Sequence, residues 1–177
     1  DLNEVISETE KMLKRMIGED VEFQTVLEPE LWKVHMDSGQ IDQLIVSMAV
    51  NSRDAMPQGG KLVVETANVD LDGNCFPEHS IDETPGPYVM LAISDTGSGI
   101  NKETREHIFE PFFTTKDVGE GTGLGLAVSY SLVKQMEGSI DVTSESGQGT
   151  LFTISLPASQ DCIVPLHPQT KNPDTEH

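Results

Sequence analysis

The sequence predicts an α+β domain, a two-layer sandwich in which about three helices cover one face of a mixed β-sheet. Three segments carry apolar residues at helical spacing, and several short strand-like stretches lie between them, bounded by glycine and proline. That order of elements is typical of helices layered on a sheet. The 177 residues are enough for one domain with a sizeable core. We assign residues 1–157 to that domain and 158–177, a proline-containing stretch without periodicity, to a flexible tail or linker.

Each element follows from its local pattern. Gly18 gives the first helix a C-terminal stop. Asp37 is expected to cap the second helix, with Gln40 completing a capping box, and Asn101 to cap a short third one. Residues 70–86 are interpreted as a surface insertion and 109–122 as a long irregular segment. The predicted elements are, in order, helix 1–17, strands 21–27 and 31–36, helix 38–56, strands 62–69 and 88–94, helix 101–108, helix 123–136, and a hairpin of strands 140–144 and 151–156.

The charge balance excludes several classes of partner. Eleven basic and 30 acidic residues give a formal net charge of -19, so nucleic acid and anionic membrane are poor candidates. A phosphate ligand is not excluded, because exposed charges are screened beyond about 8 Å at physiological salt. The two cysteines lie far apart and form no CxxC pair, which indicates a reducing compartment. We expect a cytoplasmic domain, free or as the cytoplasmic portion of a longer, membrane-anchored protein.

Two glycine-rich segments of different type stand out. Residues 95–100 read Asp-Thr-Gly-Ser-Gly-Ile and follow a mostly apolar strand. Residues 119–126 read Gly-Glu-Gly-Thr-Gly-Leu-Gly-Leu and run into a helix, where backbone N–H groups and the helix N-terminus form an anion site. The second segment matches neither the Walker pattern nor the dinucleotide fingerprint. The competing interpretations are a tight turn for the first segment and a glycine-rich linker for the second.

Asp95 is the candidate base-binding residue. A carboxylate at the end of a buried strand can accept a hydrogen bond from an exocyclic amine such as that of adenine. Gly97 and Gly99 would keep the floor of the site open, because glycine lets a backbone come close to a ligand. Ile100 would touch the base. From these six residues alone, a nucleotide floor and an ordinary turn are equally good interpretations.

The predicted helix 38–56 offers a polar face beside its apolar stripe. Ser47, Asn51 and Asp54 are spaced so that they share that face. The carbonyl oxygen of Asn51 suits a hard cation such as Mg²⁺, which usually takes only one or two protein ligands together with phosphates and water. Taken alone, Asn51 is better interpreted as a solvated residue in the middle of a helix.

Residues 109–116, Phe-Glu-Pro-Phe-Phe-Thr-Thr-Lys, contain half of the six phenylalanines. Aromatic anchors beside a long irregular segment suit a lid that packs when closed and releases when open. Lys116 would reach a terminal phosphate. A loop pinned to the core by its Phe side chains is the other interpretation, and the two are compatible.

Together these segments, in this order, resemble the ATP-binding catalytic domain of sensor histidine kinases, within the wider family shared with type II topoisomerases, Hsp90 chaperones and MutL repair proteins. Residues 48–57 look like the N box of that family and 95–100 like its G1 box. Residues 109–116 look like the F box, 119–126 like the G2 box, and 147–157 like the closing segment. The resemblance covers roughly residues 1–157 and is strongest to the nitrogen-regulator and hybrid-sensor branch.

The resemblance implies the Bergerat ATP-binding fold and a site for ATP and Mg²⁺. Asn51 would coordinate Mg²⁺ and act with Lys116 in phosphoryl transfer, while Asp95 would bind adenine with Thr150 nearby through water. Arg53 and Asp54 would help to order phosphates or ribose. The implied nucleotide-binding residues are Asn51, Arg53, Asp54, Ala55, Asp95, Gly97, Gly99, Ile100, Phe112, Lys116, Gly121, Thr122, Gly123, Leu124, Gly125 and Thr150.

The implied function is that of a protein-histidine kinase in two-component signal transduction. It would donate the γ-phosphate of Mg-ATP to a histidine on a separate dimerisation and phosphoacceptor domain of the same protein, with a response regulator downstream. None of the five histidines lies in a phosphoacceptor motif. Ser47 stands where hydrolysing relatives have a Glu, and Asp54 where many kinases have Lys. The alternatives are a conformational ATPase, which Ser47 disfavours, and a degenerate, non-catalytic nucleotide-binding module.

Overall fold

The computed structural model describes residues 1–71, 84–114 and 125–159. Its helices in this part of the chain are α1 Leu2–Ile17, α2 Ser38–Asp54, α3 Lys102–Arg105 and α4 Gly125–Gln135. Its strands are β1 Val21–Val26, β2 Gly60–Leu71, β3 Gly86–Asp95, β4 Ser139–Ser144 and β5 Thr150–Pro157. None of these helices is long and apolar enough to cross a membrane.

The five strands form one mixed sheet in the order β1-β2-β3-β5-β4. β1 pairs with β2 in parallel, and the other neighbours pair antiparallel, so the predicted fold class is confirmed. The register places Leu62, Asp95, Thr150 and Ser144 side by side across four strands. Directly paired residues point to the same face of a sheet, so this row brings Asp95, Thr150 and Ser144 to one end of one face.

The core lies between that face and the helices. On β5 the residues Phe152, Ile154 and Leu156 are buried while those between them are half-buried, which is the alternation of a strand with one covered face. α2 packs between α1 and α4. The helices contribute a continuous apolar cluster whose fully buried members include Leu2, Ile6, Leu13, Ile41, Leu44, Ile45 and Met48.

The helix caps follow the sequence closely. The Asp37 carboxylate accepts hydrogen bonds from the backbone N–H groups of Gly39 and Gln40 at 2.8 and 3.3 Å, and the Asn101 side chain accepts one from Thr104 N at 2.8 Å. The expected capping box is only half formed. The side-chain amide of Gln40 contacts Gln135 Oε1 on α4 at 3.5 Å, so it joins two helices instead of closing the cap.

The predicted strand 31–36 is wrong. This stretch makes only an isolated bridge between Val34 and Ala158. Its backbone is held by side chains instead of a ladder, because Asn68 accepts from Trp32 N at 2.8 Å and donates to Glu30 O at 2.9 Å. The Trp32 side chain is buried in the core, and Leu31, Val34 and Met36 pack against that core, so tertiary burial accounts for the apolar residues that suggested a strand.

Several boundaries also differ from the prediction. β2 and β3 extend into the predicted insertion 70–86, since they are paired as far as Leu71 and Gly86; residues 72–83 lie outside the described chain. The helix after Asn101 ends at Arg105. α2 ends at Asp54 with Ala55 as its C-cap, and this early end turns the chain beneath the glycine segment that follows β3.

Candidate functional site

Asp95 lies at the end of β3 with only 8% of its surface exposed. Its Oδ1 accepts a hydrogen bond from Gly97 N at 2.9 Å. Burial raises the pKa of this carboxyl above its ordinary value of 3.8, and the Gly97 amide, the Ser52 hydroxyl and the Thr150 amide act in the opposite direction. A carboxylate has about four acceptor positions, so Asp95 keeps acceptor capacity for a ligand.

The glycine turn after Asp95 packs directly on the end of α2. A Cβ at position 97 would lie 2.6 Å from the carbonyl oxygen of Ala55, and Ser98 N donates to that same oxygen at 2.9 Å. Gly99 has a φ of +70°, and a Cβ there would lie 1.9 Å from Glu145 O. Both glycines are therefore required by close backbone contacts, which fix the turn between α2 and the β4–β5 connection.

Two neighbouring residues of α2 carry buried polar atoms without partners among the described residues. They are Asn51 Nδ2 and Ser52 Oγ. Ser52 is 2% exposed and close enough to Asp95 for its hydroxyl to lower that pKa, yet it makes no hydrogen bond of ordinary length. Buried polar groups are rarely left unsatisfied, and an exception calls for an explanation such as an absent ligand or water. The unpaired atoms of Asn51 and Ser52 fit a polar ligand that lies along this part of α2.

Ser47, one turn before Asn51, joins α2 to the start of α4. Its hydroxyl donates to Gly125 O at 3.2 Å, and the Ser129 hydroxyl donates to the same oxygen at 2.8 Å. A Cβ on Gly125 would lie 3.1 Å from Ser47 Oγ. The Ser47 proton is thus used in a contact between helices, which holds Gly125 beside the polar face of α2.

Arg53 points to the other side of α2. Its Nη1 donates to Met16 O in the last turn of α1 at 2.8 Å, where a cation also complements the helix dipole. Asp54 is exposed and has an interaction partner of its own. The structure therefore places the Arg53 guanidinium on α1, apart from the cluster of Ala55, Asp95 and Gly97.

The structure describes residues 109–114 of the aromatic segment, and Phe109 and Phe113 anchor this part to the core as expected. The Phe109 ring lies 5.4 Å from Tyr130 and 6.5 Å from Phe152, centroid to centroid, and Phe113 packs on the core. Phe112 is 74% exposed, with a φ of 65° that is unusual for a bulky residue. Lys116, Gly121, Thr122, Gly123 and Leu124 lie outside the described residues.

Ser144 lies in the same cluster and was not among the residues predicted from the sequence. Its hydroxyl accepts from Ile100 N, donates to Gly149 O, both at 2.8 Å, and lies 2.9 Å from Thr150 Oγ1. It is buried in phase with Ile140 on β4. In a strand with one buried face, a serine at a position where the alternation predicts an apolar side chain is the signal that could have identified it. The structure thus brings Ala55, Asp95, Gly97, Gly99, Ile100 and Thr150 together at one end of the sheet, with Ser52 and Ser144 added.

Residues 36–160 match the model of a protein family described as histidine kinase-, DNA gyrase B-, and HSP90-like ATPase. The chain is 44% identical over 157 residues to sensor kinase CckA of Brucella abortus (strain 2308), covering 89% of this chain and 16% of that protein. It is 32% identical over 142 residues to sporulation kinase E of Bacillus subtilis (strain 168), covering 80% of this chain and 17% of the kinase. The chain therefore spans only about a sixth of the length of these relatives.

Solved structures share the fold. The mycobacterial sensor histidine kinase MprB superimposes with a TM-score of 0.70 at 27% identity, covering 89% of this chain and 95% of that one. Full-length ShkA, solved in complex with AMPPNP, superimposes with a TM-score of 0.71 over 90% of this chain and 30% of the ShkA chain. Its sequence identity is 24%, so this comparison shows a shared fold. The family match and the sequence relatives, together with the MprB structure, show that the chain belongs to the histidine kinase-, DNA gyrase B- and HSP90-like ATPases and is homologous to the catalytic domains of sensor histidine kinases.

Proposed function

We propose that this chain binds Mg-ATP and donates the γ-phosphate to a histidine on a separate dimerisation and phosphoacceptor domain of the same protein, in two-component signal transduction. The observation that carries the proposal is the buried Asp95 carboxylate, which is paired with Thr150 in the sheet and lies beside Ser52, while Asn51 on the same helix carries a buried Nδ2 without a partner among the described residues. Homology to sensor kinases gives the reaction class.

At the adenine end, the Asp95 carboxylate accepts a hydrogen bond from the exocyclic amine of the base. Gly97 and Gly99 let the turn pack against Ala55 and Glu145, which sets the position of the floor, and the half-buried Ile100 packs against the ring. Ala55 closes the other side through its contact with Gly97. This arrangement fixes the base by a charged acceptor in a poorly hydrated place, where such hydrogen bonds are strongest.

At the phosphate end, Asn51 is the residue that fits Mg²⁺. Its side chain is half-buried with Nδ2 unpaired, and its carbonyl oxygen would coordinate the ion. When bound, Mg²⁺ neutralises negative charge on the β- and γ-phosphates. One protein ligand is enough for such an ion, because Mg²⁺ usually keeps several waters and binds substrate phosphates. Lys116 and residues 121–125 complete the proposed phosphate site.

Ser47 favours phosphoryl transfer over hydrolysis. A hydroxyl is a poor general base, and the Ser47 proton already donates to Gly125 O. A water molecule next to the γ-phosphate would gain no efficient proton acceptor from this residue. The acceptor imidazole on the partner domain would act as the nucleophile, so positioning and charge neutralisation are the main tasks of this chain. Downstream, the phosphate passes to a response regulator, and the domain works in the cytoplasm.

The test is phosphotransfer in trans. The 177-residue chain is mixed with the separately prepared dimerisation and phosphoacceptor domain of the same protein, Mg²⁺ and γ-labelled ATP. We expect label on the acceptor domain, little free phosphate, and a large loss of label with Asp95→Asn. Asp141→Asn, an exposed aspartate on β4, is the matched control. Rapid phosphate release without labelled acceptor would establish the conformational ATPase instead, and ATP binding with neither outcome would establish a non-catalytic module.

A further inference from the structure

The one-turn helix α3 is tied on both sides to a single residue of the sheet. Just before the helix, the backbone N–H of Ile100 donates to Ser144 Oγ at 2.8 Å. At the last residue of the helix, Arg105 Nη1 donates to Ser144 O at 3.2 Å. Ser144 is 4% exposed and ends β4. A helix of four residues has too few internal hydrogen bonds to be stable alone, so such contacts with the sheet determine where α3 lies.

The two ties use different atoms of Ser144 and serve different parts of the chain. The hydroxyl holds Ile100, donates to Gly149 O at 2.8 Å and lies 2.9 Å from Thr150 Oγ1, so it belongs to the floor of the proposed base site. The carbonyl holds Arg105. Removing the Arg105 contact leaves every hydrogen bond of the hydroxyl in place, so Arg105 can be changed without disturbing the floor.

The chain after Arg105 is a series of short turns. His107 N donates to Thr104 O at 3.0 Å, Glu110 N to His107 O at 3.0 Å, and Phe113 N to Glu110 O at 3.2 Å. Each of these hydrogen bonds spans only three residues, so together they fix the local shape of the segment. Its place in the molecule depends on contacts with other elements, and the contact between Arg105 and the sheet stands at its beginning.

The ring of Phe109 joins this segment to α4. It lies 5.4 Å from the Tyr130 ring, centroid to centroid. α4 begins at Gly125, whose carbonyl accepts the Ser47 hydroxyl at 3.2 Å, and Ser47 precedes Asn51 by one turn on the polar face of α2. The position of Phe109 therefore bears on the end of the site where the phosphates are proposed to bind, and not on the base.

We propose that Arg105 is a positioning residue for phosphoryl transfer. Its hydrogen bond to Ser144 O holds α3 on the sheet and thereby keeps Phe109 against Tyr130, which sets α4 and the phosphate end of the site. The inference rests on the proposed function. Because phosphoryl transfer depends on alignment of the reacting groups, loss of this hydrogen bond should slow transfer more than it weakens nucleotide binding.

The experiment compares Arg105→Met, which keeps an apolar stem and loses the donors, with Arg105→Lys, which keeps a charged donor. Titration calorimetry gives the Kd for Mg-ATP, and label transfer to the separately prepared phosphoacceptor domain at saturating ATP gives kcat. For Arg105→Met we expect a Kd within about threefold of the wild type and a kcat about tenfold lower, since a misplacement of about 1 Å can cost up to about 100-fold. Arg105→Lys should recover most of the rate. Lys102→Met, at an exposed position of the same helix, removes the same charge and should change neither quantity.

Hydrogen exchange of the nucleotide-free chain tests the tie itself. Arg105→Met should speed exchange at residues 106–114 and leave residues 96–100 unchanged, because the Ser144 hydroxyl still holds Ile100 N. If Arg105→Met does not fold, Arg105→Gln, whose side chain is too short to make the contact, replaces it in both measurements.

Three results would overturn the inference. They are unchanged exchange at residues 106–114, a lower Tm with an unchanged kcat in the folded variant, and a Kd that rises as much as kcat falls. The second would assign Arg105 a purely structural role. Failure of the wild type to bind ATP or to label the acceptor domain would instead contradict the proposed function itself.

Discussion

Replacing Asp95 with Asn changes one oxygen of a buried carboxylate into an NH₂ group. The remaining oxygen is expected to keep the hydrogen bond from Gly97 N, which measures 2.9 Å. The amide nitrogen must then turn to the other position, where it places a donor against the donor of the adenine amine. A hydrogen bond to a charged group contributes about 1.5–3 kcal/mol, so ATP affinity should fall roughly 10- to 100-fold.

The assay is calorimetric titration with Mg-ATP, supported by thermal denaturation. At a nucleotide concentration about 100 times the wild-type Kd, binding stabilises the protein by about 2.7 kcal/mol, whereas a 100-fold weaker variant gains only about 0.4 kcal/mol. For a domain of this size about 1 kcal/mol corresponds to 2–4 °C in Tm. The wild type should therefore gain roughly 5–11 °C on adding ATP and the variant about 1 °C.

Two outcomes would refute this reasoning. Equal binding by wild type and Asp95→Asn would remove Asp95 from the adenine site. The same loss in Asp141→Asn, an exposed aspartate on β4, would show a general charge effect. The nucleotide-free variant must stay folded, with a Tm within about 4 °C of the wild type, because one side-chain oxygen still accepts from the Gly97 amide.

Three further predictions concern pH, the glycine turn and the contact between α2 and α4. Burial raises the pKa of Asp95 above 3.8, so the folded protein keeps the Asp95 proton to higher pH than the unfolded chain does. The protonated carboxyl therefore contributes its full share of folding stability below pH 3.8, and that share is lost as the pH rises through the pKa of the folded state. ATP favours the ionised form, so affinity should decline as pH falls toward that pKa, and titrations at several pH values should show no such step in Asp95→Asn. Gly99→Ala should lower the Tm far more than Gly147→Ala does. Both glycines have positive φ, which costs a side chain roughly 1–2 kcal/mol, but only at Gly99 would the new Cβ clash with a backbone oxygen, that of Glu145. Equal losses of Tm in the two variants would contradict this. Ser47→Ala removes the 3.2 Å hydrogen bond to Gly125 O, so the free energy of unfolding, measured with denaturant, should fall by about 0.5–1 kcal/mol. ATP hydrolysis should not rise. An increase in phosphate release would contradict the structural role of Ser47.

Local sequence signals predicted most of the fold. The helical spacing of apolar residues in α1 and α2, the caps at Asp37 and Asn101, and the alternation in β5 all depend on neighbours in sequence, so they can be read from it directly. The stretch 31–36 was misjudged because its apolar residues are buried by tertiary contact, and the backbone around Trp32 is satisfied by Asn68, a residue far away in sequence.

The sequence by itself determined the fold class and the glycine turn after β3 from local patterns, and the resemblance carried by its motifs indicated Asp95, Asn51 and Thr150 as the candidate site residues. Only the tertiary structure decided what surrounds them. It set Asp95 opposite Thr150, turned Arg53 onto α1 and used Ser47 to hold Gly125. Strand register and helix packing choose such partners through contacts between distant segments, and these contacts set the burial and proton directions on which the proposed chemistry depends.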